Sequence, residues 1–155
     1  MAVAVARAGF DDQAHLLTLI REFYEIDHHE YRESRVLAGL VPLLADDRYG
    51  QVWLITSHAG APTKADGYAI VTWSWSLESG GLDCILDEVY LGQRGHGRGT
   101  RALEEIVDAA AAAGARAMFL ETEAHNERVR RFYSRLGFTI EDSIWMSWQL
   151  PAQRQ

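Results

Sequence analysis

The segment from Asp87 to Thr100 constrains the fold of this chain more than any other. It reads as a buried strand, then a glycine-rich basic loop, then a helix rich in alanine. The start of a helix binds anions, because its first N–H groups are free and its dipole is positive there. Glycines can adopt positive φ and let a phosphate approach the backbone, and arginine matches phosphate geometry. The residues concerned are Gly95, Gly97, Gly99, Arg94 and Arg98, with His96 as a further phosphate donor.

The common nucleotide motifs do not fit this loop. In a Walker A loop, Lys and Ser or Thr would stand where Arg98 and Gly99 stand. In a Rossmann fingerprint, a third glycine would stand where Thr100 stands. A nucleotide-binding protein is therefore disfavoured, although a phosphate-bearing cofactor beside two acidic residues remains the prediction.

Two motifs together resemble a known family. Arg94, Gly97 and Gly99 form the pattern Arg-x-x-Gly-x-Gly, which is similar to motif A of the GCN5-related N-acetyltransferase family. Downstream, the stretch from Asn126 to Phe138 matches that family's Asn-x-x-x-x-x-Phe-Tyr-x-x-x-Gly-Phe pattern after the fifth strand. The resemblance covers roughly residues 67–150. It implies an α/β fold with a mostly antiparallel, splayed sheet flanked by helices, in one domain over residues 1–155.

The resemblance also implies a cofactor site for acetyl-CoA. The basic loop, extended to Thr100, would hold the pyrophosphate, and the backbone of the preceding strand would pair with the pantetheine amides. Asn126 would bind the cofactor arm, with a helix N-cap as its alternative role. The residues of the strand backbone are Val89, Tyr90 and Leu91.

The implied reaction is direct acetyl transfer to a primary amine. Tyr133 is the candidate general acid beside the coenzyme A sulfur, because a phenol carries its proton at neutral pH; packing is the alternative. Asp87 and Glu88 are the candidates for accepting the amine proton. Side chains alternate along a strand, so the two are not expected to point the same way, and the choice between them stays open. One of them could instead bind a cationic substrate or form a salt bridge.

The acceptor is not named by any motif. Tyr24, Trp73, Trp75 and Glu78 could line a pocket for an amine with an apolar body, while core packing is the alternative for the tryptophans. A small-molecule amine is favoured, and a peptide amine is possible. The alternative to an enzyme is a non-catalytic domain that binds or senses acyl-CoA.

Bulk properties narrow the class further. The chain has 155 residues, 48% of them apolar, and a net charge of −7, which argues against nucleic-acid binding. Cys84 is the only cysteine, and no apolar run could span a bilayer. A cytoplasmic protein is expected, without a metal: His28 and His29 are adjacent and read as a solvated turn. A homodimer would be unsurprising.

Periodicity predicts the remaining elements. Strands are expected at 3–7, 52–56, 67–75, 84–91 and 117–122, with closing strands at 138–140 and 144–150, where Trp145 and Trp148 fall on opposite faces. Helices are expected after Asp11 or Asp12, at 33–45 with a kink or break at Pro42, at 99–113 and at 126–136. A hairpin loop is expected over 57–66.

Overall fold

A computed structural model describes residues 3–57, 64–93 and 95–151. Its strands are built from stretches in which apolar residues alternate. The contacts divide the chain into two units, Met1–Glu121 and Thr122–Gln155. The hairpin loop predicted over 57–66 falls mostly on residues 58–63, which lie outside the described residues.

The first unit contains a five-stranded, mostly antiparallel sheet in the order β1-β2-β3-β4-β5. Only the β4–β5 pair is parallel, and it is short: Cys84 pairs with Met118 and Ile85 with Phe119. The strand predicted at 117–122 is thus reduced to two residues. The strands are β1 Ala4–Arg7, β2 Gly50–Thr56, β3 Gly67–Ser76, β4 Gly81–Leu91 and β5 Met118–Phe119.

The α-helices of the first unit flank this sheet. The first unit has α1 Gln13–Ile26, α2 Glu33–Ala45 and α3 Arg98–Ala112, and the second has α4 Glu127–Arg135. A 3-10 turn, Phe10–Asp12, precedes α1, and the Asp12 carboxylate accepts the Gly9 N–H at 2.9 Å. Helix α2 runs through Pro42 without interruption, so of the predicted kink or break, the break does not occur. Among the described residues, none of the helices is both long and apolar enough to cross a membrane.

Glycines end α3 and α4 in the same way. At α3, Gly114 has φ 100°, and the Ala115 N–H donates to the Ala110 carbonyl at 3.1 Å. At α4, Gly137 has φ 104°, and the Phe138 N–H donates to the Tyr133 carbonyl at 3.1 Å. Both ends are Schellman motifs, in which a left-handed residue closes the last carbonyls.

The core lies on both faces of the sheet. Helices α1 and α2 cover one face, where Leu16, Ile20 and Leu40 pack in a cluster with Tyr68 and Ile70 of β3. The alternate residues of β3 and β4 point to the opposite face. They include Ala69, Val71 and Cys84, all completely buried. Burial raises the pKa of the Cys84 thiol to about 11, so this thiol stays protonated and unreactive at neutral pH.

The second unit contains α4 and no strand among its described residues. The predicted closing strands at 138–140 and 144–150 are therefore wrong for this structure. Alternation favours a strand only where a neighbouring strand completes its hydrogen bonds and covers one face. Neither occurs here: Ile144 is 90%, Trp145 70% and Trp148 84% exposed. Both tryptophans are exposed, although opposite faces of a strand were predicted for them.

Candidate active site

A β-bulge in β4 brings the two predicted acidic residues into one place. Ile70 of β3 pairs with Glu88, but the next residue, Val71, pairs with Leu86. Asp87 is therefore an extra residue with no partner on β3, and such a bulge re-aims side chains. Both Asp87 and Glu88 line the same cavity. The expectation that strand alternation would separate them is wrong, because the bulge interrupts the alternation.

The cavity has a volume of about 520 Å³ and lies between α1, α2, β3 and β4. We call it the carboxylate cavity. Its wall is mainly apolar, with charged residues at two places: the carboxylates on β4, and Glu30, Arg32 and Arg35 at the start of α2. The rest of the lining is Ile20, Tyr24, Val36, Gly39, Leu40, Pro42, Leu43, Tyr49, Ile70 and Thr72.

Two tyrosines hold the Glu88 carboxylate. The Tyr24 hydroxyl of α1 donates to Oε1 at 2.8 Å, and the Tyr68 hydroxyl of β3 donates to Oε2 at 2.7 Å. Tyr68 is completely buried. Since each carboxylate oxygen can accept two hydrogen bonds, both oxygens keep capacity for a ligand. The carboxylate is thus fixed in position without being saturated.

Burial sets the protonation of these groups. It raises the pKa of Glu88, and the nearby Asp87 charge adds to this, while the bonds from Tyr68 and Tyr24 and the charge of His29 oppose it. Burial likewise raises the pKa of Asp87. The pKa values of Tyr24 and Tyr68 are raised by burial and by Glu88, so both phenols remain donors. A carboxylate whose pKa is shifted upward is a better proton acceptor.

The tryptophans proposed for the acceptor pocket do not line this cavity. Of the four predicted residues, only Tyr24 does. Trp73 donates its indole N–H to the Asp47 carbonyl at 2.7 Å, and Trp75 is 74% exposed. Glu78 lies in the exposed β3–β4 turn. Trp73 and Trp75 fall on the face of β3 opposite that of Ile70 and Thr72, which do line the cavity, because side chains alternate along a strand.

The loop between β4 and α3 has the backbone shape expected of an anion site. Gly95 has φ 103°, His96 φ 56° and Gly97 φ 72°. Gly97 is the N-cap of α3, and a Cβ at Gly95 or Gly97 would meet no atom within 4 Å. Open space therefore surrounds the backbone ahead of the first turn, which contains Gly99 and Thr100. Arg94, the other predicted phosphate contact, lies outside the described residues.

Arg98, a predicted phosphate contact, is buried rather than exposed to a ligand. Its side chain is only 5% exposed, and its guanidinium donates to Gln93 Oε1 at 3.1 Å. That bond links the first turn of α3 to the beginning of the loop. A role of Arg98 in cofactor binding stays a prediction.

The predicted pantetheine pairing concerns the later part of β4. On the β3 side, Val89 pairs with Ala69, Tyr90 with Tyr68 and Leu91 with Gly67. On the other side, β5 pairs only with Cys84 and Ile85. The β4–β5 pairing thus stops before Val89, and pairing of the Val89–Leu91 backbone with an extended amide chain stays a prediction.

We compared the chain with known protein families and solved structures. The model of the acetyltransferase (GNAT) family matches residues 20–138. The chain belongs to this family. Acetyl transfer is thus its general activity. A search of curated proteins returned no match.

Solved structures share this GNAT fold. An integron cassette protein from the mobile metagenome of Cole Harbour Salt Marsh is 27% identical, with a TM-score of 0.81 over 96% of this chain and 91% of the other. AAC(6')-Iy, in complex with the bisubstrate analogue CoA-S-monomethyl-acetylneamine, is 15% identical, with a TM-score of 0.78 over 97% and 100%. An aminoglycoside acetyltransferase from an uncultured soil metagenomic sample, in complex with sisomicin, is 14% identical, with a TM-score of 0.74 over 97% of both chains.

In the second unit of this GNAT chain, the two motif residues have defined local roles. Asn126 caps α4: its Oδ1 accepts the Val129 N–H at 3.2 Å. The Tyr133 ring lies between Phe132 and Phe138, with centroids 5.2 and 5.6 Å away, and burial raises its pKa. The N-cap alternative for Asn126 is thus confirmed, while its cofactor role stays a prediction.

Sequence reasoning missed two charged or polar residues of the GNAT chain's site. Tyr68 reads as an ordinary strand residue, and Arg35 as a surface position on α2. No local pattern connects either one with Glu88. Among the described residues, no group of three or more His, Cys, Asp or Glu side chains could hold a metal ion.

Proposed function

We propose that this protein transfers the acetyl group of acetyl-CoA to a primary amine of a small molecule, with both substrates bound together. The observation that carries the proposal is the pair of carboxylates, Asp87 and Glu88, that the bulge brings to an apolar cavity of about 520 Å³. Such a cavity suits an amine with an apolar body, since the carboxylates attract the ammonium group. A peptide amine is the second acceptor class.

The loop before α3 fits a pyrophosphate, and the β4 edge fits an extended amide chain. The support is the open space at the Cβ positions of Gly95 and Gly97, the place of Gly97 as the N-cap of α3, and the β4–β5 pairing that involves Cys84 and Ile85 and stops before Val89. When bound, acetyl-CoA would supply the activated acetyl thioester. The backbone of the loop would hold the phosphates, and the β4 backbone would orient the arm.

Glu88 is the proposed proton acceptor. An amine must lose a proton to attack, and Glu88 Oε1 or Oε2 can take it directly or through a water. The Tyr24 and Tyr68 bonds fix the carboxylate, and burial raises its pKa toward that of the amine. Asp87, in the same cavity, would hold the ammonium form electrostatically before the proton leaves.

Tyr133 is the proposed proton donor to the leaving sulfur. The support is the motif from Asn126 to Phe138 and the raised pKa of the phenol, which keeps its proton on at neutral pH. Tyr133→Phe is expected to lower kcat about tenfold or more and to leave acetyl-CoA affinity unchanged. An unchanged kcat would mean that Tyr133 only packs between its neighbouring rings.

Thiol release from acetyl-CoA, measured against a panel of amines, tests the function. Polyamines, aminoglycosides, amino acids and short peptides cover the acceptor classes. Amine-dependent release is expected with at least one small-molecule class. Silence across the panel, with acetyl-CoA still bound in calorimetry, would contradict the enzyme and favour an acyl-CoA sensor. The cytoplasmic location and the homodimer stay predictions.

A further inference from the structure

The carboxylate cavity contains charges of both signs, and most of them are already paired. At the start of α2, Arg32 donates to Glu30 Oε1 at 2.8 Å. Glu33, the next acid along the chain, forms an ion pair with Arg21 of α1 at 3.1 Å. Neither acid is therefore available to neutralise a further cation there.

Arg35, an exposed residue, is the exception among the charged residues at the start of α2. It lines the cavity on α2, and its guanidinium has no hydrogen-bond or ion-pair partner within residues 3–57, 64–93 and 95–151. A guanidinium presents five N–H donors in a planar fork that matches a carboxylate or phosphate. An unpaired arginine on the wall of a binding cavity is thus suited to a ligand anion.

Apolar side chains line the cavity together with Arg35 and the two carboxylates. Val36, Leu40 and Leu43 of α2 and Ile70 of β3 line the same cavity as Arg35 and Glu88. The complementary ligand has a cation for the carboxylates, an apolar segment for this wall and an anion for Arg35.

We propose that the acceptor carries a carboxylate or phosphate in addition to its primary amine, and that Arg35 binds this anionic group. This inference rests on the proposed function, since it assumes that the amine sits at Asp87 and Glu88. A polycationic acceptor would instead bring a second positive charge into the cavity with Arg35, where like charges repel.

A set of acceptors with matched carbon chains tests the inference. For each chain length, thiol release is compared for an n-alkylamine, an α,ω-diamine, an ω-amino carboxylate and an ω-aminoalkyl phosphate. The amino carboxylate or the amino phosphate is expected to give the highest kcat/KM, and the comparison of the two identifies the anion. A preference for the diamine would overturn the proposal.

Variants of Arg35 make the test specific. Arg35→Gln is expected to raise KM for the anionic acceptor at least tenfold, with kcat and the alkylamine KM little changed. Arg35→Lys should recover part of the loss. Lys64→Gln is the control, because it removes one positive charge from an exposed residue that does not line the cavity. Equal losses for all acceptors in Arg35→Gln would overturn the proposal.

Failure of this inference differs from failure of the proposed function. An enzyme that acetylates amines with no preference for an anion contradicts only the role of Arg35. If no amine is acetylated, calorimetry of the amino carboxylate and the amino phosphate on the CoA-loaded protein still decides. Binding that Arg35→Gln weakens at least tenfold supports the inference, and absence of binding overturns it.

Discussion

The carboxylate cavity and the loop before α3 are built in different ways. The loop is local: Gly95, His96 and Gly97 are consecutive, and their positive φ angles shape the backbone. The cavity is assembled from side chains, since Tyr24 and Glu88, which share a hydrogen bond, are 64 residues apart. The loop site therefore depends on backbone conformation, whereas the cavity depends on the protonation of side chains that hydrogen bonds fix in position. Substitutions should therefore affect the two sites separately.

The largest effect is expected in the cavity. Glu88→Gln keeps the shape of the side chain but removes the proton acceptor, so kcat should fall about 100-fold or more. Thiol release at saturating amine is the measurement. Asp87→Asn is the companion variant, and a larger loss there than in Glu88→Gln would assign the proton transfer to Asp87 instead.

A smaller effect is expected from a substitution in the loop, and it concerns the Kd for acetyl-CoA rather than kcat. Gly97→Val forces a β-branched residue into a left-handed conformation and fills the open space at the loop. The Kd for acetyl-CoA should rise at least about tenfold, which corresponds to about 1.4 kcal/mol. Calorimetry with acetyl-CoA measures it.

Gly114→Val is the matched control for that variant. Gly114 also has a positive φ and open space at its Cβ, but it ends α3 rather than beginning it. Both variants should lower the free energy of unfolding similarly, by about 1–2 kcal/mol. Equal losses of acetyl-CoA affinity in the two would show that the loop effect is only instability.

The smallest effect is a shift in pH dependence. Glu88 must be deprotonated to act as a base, so kcat/KM should fall as the pH drops through its pKa, which burial places above the ordinary value. The Tyr68 bond lowers this pKa; Tyr68→Phe should therefore raise the pKa further and move the acid limb to higher pH. The pH–rate profile of kcat/KM measures the shift.

Tyr31→Phe is the control for the pH experiment. The Tyr31 ring lies 6.1 Å from that of Tyr24, but its buried hydroxyl has no hydrogen-bond partner among the described residues. Its removal should leave the acid limb in place. If the acid limb of the pH–rate profile is identical in wild type and Tyr68→Phe, Glu88 is not the group that accepts the proton.

Local features were predictable from the sequence. Helix α2 occupies 33–45 as expected, and the glycine loop precedes α3 as its spacing indicated. These elements depend on neighbours in the chain. The same reasoning could not find Tyr68 as a partner of Glu88, nor the bulge at Asp87, because both depend on how β3 registers against β4.

The failed predictions have the same origin. Trp73 and Trp75 were assigned to the pocket by their residue type, but the side chains that line the cavity come from α1, α2, the bulged part of β4 and the opposite face of β3. The alternation from Ile144 to Leu150 is typical of a strand, yet it predicts a strand only if a partner lies beside it. Pairing between distant segments is not encoded in a local pattern.

The most direct test is the Kd of acetyl-CoA for Glu88→Gln, measured by calorimetry on the sample used for its turnover. If the cavity and the loop are separate sites, the Kd should equal that of the wild type although kcat has fallen about 100-fold. A Kd that rises in proportion to the loss of turnover would contradict the separation. A turnover equal to that of the wild type would contradict the role of Glu88.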